Sequence, residues 1–405
     1  MKLAVEARRG GEVTTLTYHT VTSLIKSVPQ AVKHFCSMLL AAALLCGVAA
    51  GDLSAQKKKK PGSDDEGYIP VVAPETDKSK KKKKNEDTTQ TLPPPPELPL
   101  ALAAETNRLA FAVSPLSGKG LLSQQTRDAL NVLLHKNHGT IVKLRAFVAG
   151  SGDLRRVGEL VGEMFTEKHE PLPVLSVVQI GALPLGGAQV VIESIEMDRK
   201  PVNPQGVVFF SGRTAETVAQ SLQELTNALG SAGMEPGDVL RATCFVSSLD
   251  DQKETPQLMA ASFPSAALNF IQMQREPVAP PAECEMIARA RAPIHPGTAD
   301  SGPNTYLGIA PGAKLVITGT QMAFGAEEGD LKLAFERIQK ALEGSNTSLD
   351  HVVMSHLYTT STGLRERMRI VQSQYSKGPS MLLPVEGLPS LDARFGVDVV
   401  AVADH

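Results

Sequence analysis

Three stretches of this chain present the same order of apolar runs at a spacing of roughly 100 residues, and a repeat of that length restricts the fold to copies of one unit packed together. Each copy opens with a short β-like run ending near a hydroxyl: "LAFAVSP" with Ser114, "VVFFSGR" with Ser211 and "KLVITGT" with Thr318. A helical segment follows, "SQQTRDALNVLLHK", "TVAQSLQELTNALGSAG" or "DLKLAFERIQKALEGS". Its apolar residues, such as Leu222, Leu225 and Leu229, recur every three or four positions and leave one buried stripe. Next come a β-rich segment ("IVKLRAFVAG", "VLRATCFVSS", "VVMSHLYTTS") and a second amphipathic helix ("DLRRVGELVGEMF", "ETPQLMAASF", "LRERMRIVQSQY"). A strand pair closes each copy.

The order β-α-β-α-β-β predicts an α+β unit, a mixed sheet with both helices on one face. Its other face needs cover. Three such sheets in one chain can cover one another, which predicts an intramolecular pseudo-trimer with clefts between copies. The predicted divisions are a leader over 1–55, a linker over 56–100, and repeats over 101–199, 200–294 and 300–405.

The leader contains "MLLAAALLCGVAA", Met38 to Ala50, preceded by Lys26 and Lys33. It is shorter than the roughly 20 residues of a membrane-spanning helix and suits the apolar region of a secretory signal. Export is the expectation, periplasmic or secreted, with an uncleaved anchor or a buried helix as the alternatives. Were the leader inactive, the protein would stay cytoplasmic. The linker carries Lys57–Lys60, Lys80–Lys84 and a proline run from Pro93 to Pro96, with too few apolar residues to offset ordering entropy. It reads as a solvated tether whose lysines can also touch an anionic surface.

Lys+Arg 41 against Asp+Glu 43 leaves no global charge to draw nucleic acid, and 4% aromatic residues without Trp give little material for base stacking. The histidines, among them His34, His135, His138, His169, His295 and His356, show no HExxH or close ligand pair, so no metal site is expected. Of four cysteines, Cys36 and Cys46 lie in the leader. For Cys244 and Cys284, buried small hydrophobes are the first reading, ahead of a disulfide or a reactive thiol.

The "FFSGR" turn, "RATCFVSSLDD", "REPVAPPAECEMIARA" and the sister endings "GALPLGGAQVVIESIEM" and "EGLPSLDARFGVDVVAVA" together resemble the reactive intermediate deaminase (RidA, YjgF) family. That family is also called L-PSP endoribonuclease-like and has a chorismate mutase-like fold. The resemblance implies a trimer fused into one chain and needing no cofactor. It implies hydrolysis of small imino or enamino acids to 2-keto acids and ammonia, a degenerate carboxylate-binding or scaffold protein, or, further off, an endoribonuclease.

By resemblance, the carboxylate-binding arginine falls on Arg275, the site glutamate on Glu285, and the Ser-Gly turn on Ser211 and Gly212. The first copy has Ala182, Glu193, and Ser114 followed by Pro115. The third has Gly387, Asp398, and Thr318 followed by Gly319. Only the middle copy keeps the full set, so Glu193, Asp398, Thr318 and Ser114 are secondary candidates. A guanidinium suits bidentate capture of a small metabolite's carboxylate, and a half-dry glutamate can orient and deprotonate water. Ser211 can donate to substrate, and Gly212 admits close backbone approach. Strand alternation alone leaves Glu285 open as a solvated or ion-paired residue, and Arg275 as ordinary surface.

Overall fold

The computed structural model describes residues 5–9, 12–16, 93–250, 253–273, 282–293 and 307–403. The chain divides into two units, Met1–Thr88 and Thr89–His405. In the first, β1 (Val5–Arg9) and β2 (Glu12–Leu16) pair antiparallel. The apolar run from Met38 to Ala50, the lysine runs and Arg275 lie outside the described residues.

The second unit contains three successive runs of one element order. In the first, β4 (Leu109–Val113), α1 (Leu122–Lys136), β5 (Gly139–Ala149), α2 (Leu154–Glu167), β6 (Val174–Ile180) and β7 (Val190–Asp198) follow β3 (Ala101–Glu105). The second comprises β8 (Val207–Ala215), α3 (Val218–Ser231), β9 (Val239–Val246), α4 (Thr255–Ser262), β10 (Ala267–Gln272) and β11 (Ala282–Arg289). After β12 (Leu307–Ala310), the third starts on a strand broken into β13 (Lys314–Thr318) and β14 (Gln321–Ala323). It continues through α5 (Glu328–Glu343), β15 (Val352–Thr359), α6 (Arg365–Tyr375), β16 (Ser380–Pro384) and β17 (Phe395–Ala403).

Helix starts follow local chemistry. Asp153 accepts from Arg155 N at α2, Thr217 accepts from Gln220 N at α3, and Glu327 and Asp330 form a capping box at α5. In α3 the predicted stripe of Leu222, Leu225 and Leu229 is buried, and it packs on Ala242, Cys244 and Val246 of β9. The alternate residues of β9, Arg241, Thr243 and Phe245, are also buried, on the opposite face. In the first run Leu144, Ala146 and Val148 likewise lie under α1 and α2, while Lys143, Arg145 and Phe147 point the other way. One cluster joins these inner faces, holding Phe147, Phe245 and Tyr358 from β5, β9 and β15. Phe147 and Phe245 meet edge-on at 5.9 Å between ring centres.

Sheet orders are β4-β7-β5-β6, β12-β8-β11-β9-β10 and β3-β13-β17-β15-β16, each with one parallel pair, β5/β6, β9/β10 and β15/β16 respectively. The connecting segments cross between runs. Strand β3, ahead of the first run, pairs with β13 of the third, and β12, ahead of the third, pairs with β8 of the second. Ahead of the second run, Val202 N and Asn203 N donate to Asn107 O, and the Asn203 amide donates to Leu109 O at the edge of β4. Each lead-in thus covers an edge that would otherwise carry unpaired backbone groups.

Cys244 and Cys284 are fully buried, as small hydrophobes would be, yet they face each other across β9 and β11 and form a disulfide. Spacing gave no hint of it, because the pairing register that opposes them is set only when the two strands meet. The bond closes a loop of sequence separation 40, so reduction under denaturing conditions should lower unfolding stability by about 3–4 kcal/mol. Urea titrations with and without a strong reductant, beside the Cys244→Ala/Cys284→Ala protein, measure this.

Candidate functional site

Register places the three candidate carboxylates at matching points. Glu193 faces Arg145, Glu285 faces Thr243 and Asp398 faces His356 across the strand pairs β7/β5, β11/β9 and β17/β15. All three point to the common interior and are almost wholly buried. The Arg145 guanidinium reaches all of them, at 3.3 Å from Glu285, 3.6 Å from Glu193 and 4.0 Å from Asp398. Arg241 adds contacts to Glu193 at 2.9 Å and Glu285 at 3.4 Å, and Lys143 lies 3.3 Å from Asp398. His356 sits between Asp398 at 2.8 Å and Glu285 at 3.5 Å.

Further hydrogen bonds complete this layer. Thr243 and the Asn269 amide donate to Glu193, the Tyr358 hydroxyl donates to Asp398 at 3.0 Å, and Lys143 donates to the Thr318 carbonyl at 2.7 Å. Burial opposes ionisation of Glu285, but hydrogen bonding to His356 and the charges of His356, Arg145 and Arg241 outweigh it and hold its pKa at about 2. Asp398 is likewise held well below the carboxylate range, by Lys143, His356 and Arg145 against the effect of burial. Burial lowers Lys143 to about 8, with Asp398 offsetting part of the cost. Among the described residues no group of three or more His, Cys, Asp or Glu is placed to hold a metal ion.

Ser211 and Gly212 lie elsewhere, at a seam between the second and third runs. The β8/β11 ladder passes from Phe210 opposite Met286 to Arg213 opposite Cys284, so Ser211 and Gly212 together oppose Glu285 and form a β-bulge. The bulge turns Ser211 across the seam, where its hydroxyl donates to the Ser380 carbonyl at 2.5 Å. A Cβ on Gly212 would crowd the Glu283 carboxylate and stand 2.9 Å from Met381 Cγ, so a larger residue there requires those side chains to move. Beside them opens a cavity of about 560 Å³, lined by Ser211, Gly212, Thr214 and Glu283 of the second run and by Glu366, Arg369, Gln372 and Ser380 of the third. Burial pushes the Glu283 carboxyl up to about 8, against a hydrogen bond from Thr214 at 3.2 Å, and the neighbouring Glu285 charge adds to the rise.

The other hydroxyls take different places. Ser114 accepts from Ile192 N at 2.9 Å, and Thr318 accepts from Val399 N at 2.9 Å. Ser114, Ser211 and Thr318, matched in sequence, therefore stand at three different register positions, because each first strand is interrupted differently. Ala182 bridges to Gln272, and Gly387 lies against Gln179. Gly319 N donates to the Leu100 carbonyl at 2.8 Å.

No family model matches the sequence, and no curated protein matches it. Solved structures with a matching segment include a member of the YjgF/YER057c/UK114 family from Mycobacterium tuberculosis, with 19% identity over 23% of this chain and 86% of that one and a TM-score of 0.21. A YjgF-family member from Neisseria meningitidis matches at 14% identity over 24% of this chain and 86% of its own, with a TM-score of 0.21. Yeast Mmf1 matches at 18% over 27% and 91%, also with a TM-score of 0.21.

Reading by sequence did not single out Glu283, Arg369, Lys143, Arg145, Arg241 or His356. One signal was present for Glu283: it is charged where the aligned positions hold Val191 and Gly396.

Two outcomes follow from the buried layer. Arg145→Leu leaves three carboxylates short of a shared cation and should cost about 3–5 kcal/mol, and Arg145→Lys should not restore it because an ammonium cannot span all three. Denaturant midpoints report both. The folded pKa values of Glu285 and Asp398 lie below their unfolded ones, so their stabilisation is complete above the ordinary carboxylate range. It should be lost as pH falls from about 4.5 toward about 2, which melting curves across that interval measure.

Proposed function

We propose that the three runs are three copies of one RidA-like unit closed into an internal trimer, and that the seam holding Ser211, Gly212 and Glu283 is its working cleft. The observation that carries the reading is the cavity itself. There the buried Glu283 carboxyl, a hydroxyl and the Arg369 guanidinium face one space large enough for a small organic acid. In this reading Glu285 holds the interior together through its ion pairs, and Glu283 takes the chemical role that sequence resemblance put two residues further along the strand.

The proposed substrate is a 2-imino acid. Arg369 binds its carboxylate, with Arg275 as a second anchor. Glu283, still protonated near neutrality, gives its proton to the imine nitrogen, which leaves the carbon electrophilic. Water adds to that carbon and returns a proton to the Glu283 carboxylate. The resulting carbinolamine expels ammonia and leaves the 2-keto acid, so one water is consumed and the proton balance closes on Glu283. Ser211 and the backbone beside Gly212 orient the substrate.

A second reading, a carboxylate-binding protein without turnover, draws on the absence of the candidate arginine at Ala182 and Gly387. Export is part of the proposal: a fully buried disulfide suits an oxidising compartment, as does the signal-like leader.

Ammonia release from freshly generated 2-iminobutanoate by the full chain tests the hydrolase. Glu283→Gln should slow turnover by about 100-fold or more, Arg369→Ala should raise KM by roughly 10–100-fold, and the rate should decline as pH rises through about 8. Decay at the buffer rate with wild-type protein removes the hydrolase reading. Thermal stabilisation by 2-oxobutanoate that disappears in Arg369→Ala would then support binding alone.

A further inference from the structure

The seam between the third and first runs is built differently, and the chain itself lies in it. Burial aligns Val157, Leu160, Val161 and Met164 of α2 with Met368, Val371, Gln372 and Tyr375 of α6. Gly158 and Gly162 consequently stand where α6 carries Arg369 and Ser373, two residues that line the polar cavity. Glycine is among the poorest residues for a helix interior, so two within α2 call for a compensating contact. The contact is Pro96: a Cβ on Gly162 would lie 3.4 Å from its Cγ, Cδ and O atoms. Two residues on, Leu98 is half-buried against the apolar cluster under α1 and α2, the cluster that Leu172 and Leu175 also pack against. The Leu100 carbonyl then accepts from Gly319 N, and the chain continues as β3 along β13.

We infer that the glycine face of α2, the edge of β6 and the end of β13 form a groove for an extended proline- and leucine-containing peptide, and that residues 93–100 are its resident ligand. Proline suits this role because its restricted backbone loses little entropy on docking, and Leu98 supplies the apolar anchor. The groove is self-occupied, leaving the polar seam between the second and third runs as an open one. None of this depends on what the polar cavity binds.

The resident segment is covalently attached at an effective concentration in the ~mM range, so an added peptide should bind only after it is displaced. The probe is a fluorescent peptide of sequence PPPPELPL, titrated into the full chain and into Leu98→Asp, Gly162→Leu and the double variant. Binding to Leu98→Asp at least 10-fold tighter than to wild type, and its loss in the double variant, is the expected result. Amide exchange at Gly319 should accelerate at least 10-fold in either single variant, while melting temperatures show whether each remains folded. Equal peptide binding by Leu98→Asp and the double variant, or no binding by either, overturns the groove. Unchanged Gly319 exchange in both single variants overturns the resident ligand. If Gly162→Leu does not fold, Gly162→Val takes its place in the same comparison.

Discussion

Everything in the second unit is arranged around the Arg145 guanidinium, which touches one carboxylate from each of the three sheets. Ionised groups withdrawn from water are stabilised only by close partners of opposite charge. Lys143, Arg145 and Arg241 against Glu193, Glu285 and Asp398 make three against three. The carboxylates occupy matching positions, but the cations do not repeat in all three sheets. The β5 position of Arg145 is Thr243 in β9 and His356 in β15, and that of Lys143 is Arg241 and Met354. Balance therefore arises only when the three different sheets face one another. Apolar contact among Phe147, Phe245 and Tyr358 supplies the non-specific part of the attraction, and the charges supply the pairing rule.

The same inequality separates the seams. At one, a β-bulge, a glutamate and a helix bearing Arg369 leave a polar cavity. At another, Gly396 stands where Glu283 would be, and glycines stand on the helix. A polar cavity is costly unless something binds in it, because its groups are partly dehydrated without full pairing. Concentrating that cost at one seam, while a proline segment packs into another, leaves most of the interior free to be apolar.

Much of the architecture was legible in the residues. The three-and-four spacing of Leu222, Leu225 and Leu229 foretold a one-sided helix, and the order of runs foretold sheets with helices on one face. Other features were not. Glu283 and Glu285 share a strand face, so alternation cannot say which reaches a cavity and which an ion cluster. The disulfide needed the register of β9 against β11, and the docking of Leu98 needed the helices of the first run to pack on their sheet.

The sequence by itself determined the unit, its helix stripes, its strand alternation and the turn chemistry, because these depend on residues close together in the chain. Tertiary structure alone decided the ionisation of each carboxyl. Glu285 stays charged because Arg145 of β5 and Arg241 of β9 converge on it beside His356 of β15, and Glu283, two residues away, is raised by burial beside the cavity. Charge and solvent at a point are set by everything within a few ångströms of it, and those neighbours come from segments far apart in the chain.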